Sequence, residues 1–75
     1  MMGEWISVKK NLPPNDETVI AHLKIQEFGI SIGVTTLACY SDKQWYDVIN
    51  NAIINNEHVT HWILFPKAPE GEAEE

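Results

Sequence analysis

Two runs in this chain alternate apolar and polar side chains with period two, and only four residues separate them at positions 26–29. Across residues 18–25, Val19, Ala21, Leu23 and Ile25 fall on one face, while Ile20, His22 and Lys24 fall on a more polar, half-exposed one. Across residues 30–40, Ile30, Ile32, Val34, Thr36, Ala38 and Tyr40 share a face, and Thr35, Leu37 and Cys39 share the other. Side chains repeat every 3.6 residues on a helix, so this pattern is read as two strands. Connections this short favour antiparallel hairpins, because a parallel crossover needs a dozen or more residues. Gly29 is free to take a positive φ in the connection. Gly33, inside the second run, marks a bulge or the close approach of another group to the backbone.

The rest of the chain is read around that pair. Residues 5–10 fit either a single helical turn or a short extended piece, and Pro13-Pro14 end it. Residues 41–43 form a compact turn, and residues 44–48, with Trp45 and Tyr46, return as a third strand. In residues 48–56, Val48, Ile49, Ala52 and Ile53 have helical spacing, but Asn50, Asn51, Asn55 and Asn56 are poor helix-interior residues. A loop with one helical turn reconciles the two. Residues 58–65 form the last strand; both of its faces carry apolar residues, as a central strand would, and Pro66 and Pro69 stop it. The expected fold is α+β but β-rich: a small antiparallel sheet of three to four strands with one short helix or helical turn.

A chain of 75 residues fits one domain, expected over residues 1–69. It buries only about 60–65% of its unfolded surface, so a stability of a few kcal/mol is expected. With Cys39 alone, an intrachain disulfide cannot supplement that core, and an intracellular, cytoplasmic setting is expected. No secretory signal or membrane span is read from the sequence, so no membrane partner is expected. The formal charge is −6, but Glu70, Glu72, Glu74 and Glu75 contribute four of the eleven acidic residues, which leaves the body at −2. Residues 70–75 are expected to be a disordered, solubilising tail. Five lysines without an arginine make no basic stripe, which argues against direct nucleic-acid binding.

Few residues suggest chemistry. His58 and His61 have the His-x-x-His spacing of some metal sites, and Cys39 and His22 could complete four ligands. On a regular strand, however, positions three apart face opposite ways, and no paired cysteine supports such a site. The expectation is therefore no metal, no cofactor and no catalytic residue. His61 is read as a hydrogen-bonded residue at the core edge and His58 as lying at the strand mouth. Cys39 is read as a small apolar filler rather than a nucleophile. The carboxylates Asp16, Glu17, Asp42 and Asp47 belong mostly to turns, and no glycine-rich phosphate loop precedes a helix. Trp5, Trp45 and Trp62 are assigned to the core ahead of a ligand groove or partner anchor, Trp62 most firmly.

The two ends of the chain carry a resemblance. Trp5-Ile6-Ser7-Val8 followed by Leu12-Pro13, and Val59-Thr60-His61-Trp62 followed by Pro66 and Pro69, resemble the opening and close of the DUF551-like family, small phage and prophage domains of unknown function. Glu17-Thr18-Val19-Ile20 and Trp45 fall where that pattern places them, so the likeness spans roughly residues 5–69. The asparagine-rich stretch at 48–56 departs from the pattern, as does Phe65, where the family often has leucine. The resemblance implies a setting among bacterial phage and prophage accessory proteins, and no chemistry. The expected function is non-enzymatic and works through protein–protein contacts, with another protein or with a second copy as partner. The alternatives are an acidic inhibitor of a host nucleic-acid-binding or defence protein, and a small metal-binding module or enzyme built on His58, His61, Cys39 or His22.

Overall fold

The computed structural model describes residues 4–65. The tail at 70–75, Pro66, Pro69 and the expected domain boundary at 69 lie outside the described residues. Six strands form one sheet: β1 (Ile6–Ser7), β2 (Thr18–Glu27), β3 (Ile30–Ser41), β4 (Gln44–Asp47), β5 (Ala52–Ile54) and β6 (Val59–Leu64). The spatial order is β1-β6-β2-β3-β4-β5, and every neighbouring pair is antiparallel.

This corrects the expectation of three to four strands, and of the short helix or helical turn expected beside them only the turn is found. The described residues contain no α-helix, only a 3-10 turn at Asn56–His58. The two added strands, β1 and β5, have two and three residues, too few to show a period. The helical spacing in residues 48–56 is coincidental, because Val48, Ile49 and Ile53 are all exposed and form no buried stripe, while Ile54 is buried opposite Trp45.

The core lies on one face of the sheet. Val19, Ala21 and Leu23 of β2 pack there with Ala38, Trp45, Ile54, Val59 and Trp62, and Ile6, Val8 and Tyr40 lie against them. A single sheet can enclose such a core only by curling. Ile54 and Val59 belong to strands four places apart, about 19 Å in a flat sheet. The five steps of chain between them span at most about 17 Å fully extended, and three of those residues are wound into the 3-10 turn. The segment from Val8 to Glu17 connects β1 to β2, which run parallel with β6 between them. Pro13 is buried, Asn11 O accepts the Trp62 indole N–H at 3.0 Å, and Asp16 N donates to Tyr40 O at 2.8 Å, so this segment closes over the core.

β2 and β3 outrun the core. β6 pairs with β2 only as far as Leu23↔Val59, whereas β2 and β3 stay paired out to Glu27↔Ile30. The hairpin therefore projects as an arm, consistent with overall dimensions of 47 × 26 × 25 Å. Its turn, Phe28-Gly29, has φ of 53° and 76°, and the β3–β4 turn, Asp42-Lys43, has 52° and 66°. Two left-handed residues are what two-residue hairpin turns of matching twist require.

Candidate functional site

The face opposite the core carries a row of directly opposed residues: Ser7 on β1, His61 on β6, His22 on β2 and Thr35 on β3. Trp5, just before β1, leans toward His22 with ring centroids 6.0 Å apart and planes inclined at 59°. Trp5, His22, Thr35 and His61 line an open cleft of about 420 Å³. The sequence reading placed all three tryptophans in the core; Trp45 and Trp62 are there, but Trp5 is 46% exposed beside this cleft.

Local structure explains why the two histidines meet. The ladder between β2 and β6 slips between His22 and Leu23, so that His61 faces His22 and Val59 faces Leu23, leaving Thr60 as an extra residue. This bulge overturns the strict alternation expected for residues 58–65, because Val59 and Trp62, three apart, both enter the core. Thr60 Oγ1 donates to His22 O at 3.3 Å, and its oxygen lies 3.0 Å from His61 Nδ1. With the hydroxyl proton committed to the carbonyl, Thr60 accepts from His61, which places a proton on Nδ1 and leaves Nε2 the acceptor in the neutral ring. His22 Nδ1 contacts Thr35 Oγ1 at 3.2 Å. A Cβ on Gly33 would stand 3.2 Å from His22 Cε1 and 3.3 Å from Nε2, so glycine there makes room for the imidazole. Of the two readings of Gly33, close approach holds, since the β2–β3 register is regular at that point.

The other candidate ligands do not gather at the cleft. His58 ends the 3-10 turn and lines a separate depression with Lys24, Gln26, Glu57 and Thr60. Cys39 pairs with Thr18, four residues along β3 from the Thr35 row, about 13 Å at ordinary strand rise. Among the described residues, no group of three or more His, Cys, Asp or Glu side chains is placed to hold a metal ion. The cleft offers two imidazoles, a threonine hydroxyl and an indole. His22 and His61 sit 39 positions apart in sequence, and no local motif joins them; what could have paired them was the register of β2 against β6, which the Thr60 bulge obscured.

Asp47 has a structural role. Its Oδ1 accepts from Ile49 N at 2.9 Å and Asn50 N at 3.1 Å, and its Oδ2 from Asn50 Nδ2 at 2.9 Å. Hydrogen bonds from the Asn50 side chain first, then from the Asn50 and Ile49 backbone and Thr36, hold its carboxyl below the usual value, against an opposing effect of burial.

The second candidate surface is the arm. Phe28 at its tip is 97% exposed, and Ile30, Ile32 and Val34 extend the core face outward as an apolar stripe with nothing packed over it among the described residues. β3 carries no charged residue and no proline between Ile30 and Ser41. Among the described residues, no helix is long and apolar enough to cross a membrane.

A family model described as "Protein of unknown function (DUF551)" matches residues 4–70. No curated protein and no solved structure matches the chain.

Proposed function

This chain belongs to the DUF551 family, whose description assigns no activity, and from that premise we propose that it is a non-enzymatic module that acts through protein–protein contacts made by its β2–β3 arm, with another protein or with a second copy. The observation that carries this reading is Phe28. A left-handed φ disfavours a bulky side chain, and near-total exposure gives the ring no share in the core. The residue works against the turn it occupies, and such outliers point toward function. Ile30, Ile32 and Val34 continue the apolar surface inward from Phe28, with aromatic and aliphatic groups of the kind that anchor protein contacts. The setting in this reading is that of a bacterial phage or prophage accessory protein.

The test is site-specific photo-crosslinking in bacterial cells, with a photoreactive phenylalanine analogue at position 28 and, as control, at the exposed Leu12. Adducts with another protein or with a second copy that form from position 28, fail to form from position 12 and disappear in the Ile30→Ser/Ile32→Ser background support the reading. Equal adducts from both positions, or none from the arm, overturn it.

A further inference from the structure

We propose that the outer edge of β3 pairs with the same edge of a second copy of this chain, antiparallel and centred on Gly33, so that two sheets become one. This rests on the arm being a contact surface and specifies a partner for it.

The backbone fixes which residues are free to pair. In an antiparallel strand, the N–H and C=O of one residue point to the same side, and successive residues alternate. Tyr40 O accepts from Asp16 N on the β2 side, whereas Leu37 O accepts from Val48 N on the β4 side. Odd-numbered residues of β3 therefore point away from β2. β4 reaches only to Ala38, so Ser31, Gly33 and Thr35 present N–H and C=O groups that meet no partner among the described residues. Protein edges of this kind are usually guarded by charge, proline or covering chain. Among the described residues, this edge has none of them.

The register follows. Outward residues must face outward residues, and the arrangement that engages all three on both copies places Gly33 opposite Gly33, and Ser31 opposite Thr35 of the second copy, in six N–H···O bonds. Between these pairs, Ile32 lies opposite Val34 of the second copy, and Ile30 opposite its Thr36, with all apolar residues on one face. A register centred one residue earlier would use Gly29, which is committed to the turn; one residue later would use the Leu37 carbonyl, already bonded to Val48. The chosen register also brings Phe28 against the second copy's 48–51 turn, where Val48 and Ile49 are exposed.

Size and charge agree with a self-pairing of modest strength. Phe28, Ile30, Ile32, Val34, Val48 and Ile49 are 97%, 59%, 50%, 38%, 44% and 63% exposed. Covering most of that surface on both copies removes on the order of 1,000 Å², the lower bound for a specific interface. Each copy carries −6 formal charge, so the copies repel at long range while the uncharged edge does not; screening by salt strengthens the pair.

Sedimentation equilibrium from micromolar to submillimolar concentration, at low and high salt, reads the association, and amide exchange by NMR reads its place. The expected result is a concentration-dependent dimer, tighter in salt, with the amides of Ser31, Gly33 and Thr35 exchanging about tenfold slower in the dimer than in the dilute monomer. Ile32→Lys, which places a guarding charge on a half-exposed side chain outside the core, gives a folded monomer. A chain that stays monomeric throughout overturns the proposal, as does a dimer in which those three amides exchange freely. Position 28 adducts to a different protein from a strictly monomeric chain would sink self-pairing alone; absence of any arm-specific adduct in a strictly monomeric chain would sink the arm reading as well.

Discussion

The Trp62 indole is 4% exposed on the core face, opposite Ala21 and Ile6, and its Nε1–H bonds the Asn11 carbonyl of the segment that closes the core. One side chain thus fills the centre of the core and fastens its cover. Trp62→Ala is expected to cost about 3–5 kcal/mol, comparable to the whole stability of a domain this size, and to leave the chain unfolded by circular dichroism and thermal melting. Trp62→Phe keeps most of the burial and loses the hydrogen bond, a cost of about 1–3 kcal/mol with an intact fold. Sequence alone marked Trp62 as core because it sits in an apolar strand. It could not exclude Trp5 from the core, since both tryptophans directly precede an isoleucine in short apolar runs. What separates them is that β1 is an edge strand of two residues with little sheet beyond it.

Among the elements, the two long strands were readable because their alternation persists over ten and twelve residues. The asparagine-rich stretch was not, because each asparagine plays a separate part, through its own hydrogen bonds or backbone angle. Asn50 braces Asp47, Asn51 takes φ 56° in the turn, and Asn55 caps the 3-10 turn by accepting from Glu57 N. Asn56 imitates a strand backbone: its Nδ2 donates to Lys43 O at 2.8 Å and its Oδ1 accepts from Trp45 N at 3.0 Å. Asn56→Ala is therefore expected to destabilise the β4 end of the sheet by about 1–2 kcal/mol in chemical denaturation, despite the residue's exposure. The arm's turn responds the other way. Phe28→Asn creates an Asn-Gly pair suited to two left-handed residues, and thermal melting should show stabilisation by up to about 1 kcal/mol. The same substitution should weaken the concentration-dependent dimer in sedimentation equilibrium, separating what the turn prefers from what the surface needs. The cleft was invisible in sequence for a related reason: His22 and His61 meet through a one-residue slip at Thr60, and nothing local announces that slip.

At the scale of the whole molecule, acid stability is expected to carry a contribution from Asp47. Its folded carboxyl lies below the unfolded value of about 3.8–3.9, so the stabilisation is fully present above that value and is lost as pH falls through the folded one. Denaturation midpoints should hold steady down to about pH 4 and then decline, and Asp47→Asn should remove part of that decline. The difference should stay under about 1 kcal/mol, because solvent screens the site. The arrangement of strands has a consequence for synthesis. β6 leaves the ribosome after the other five strands, yet its place is an interior slot between β1 and β2. Until residues 59–64 emerge, β1 has no neighbour, the bonding edge of β2 stands open and the covering segment lacks the indole it fastens to. A nascent chain of this design waits as an unfinished roll and locks only when β6 threads into the gap, so a ribosome stalled before codon 59 should release a product that cannot mature.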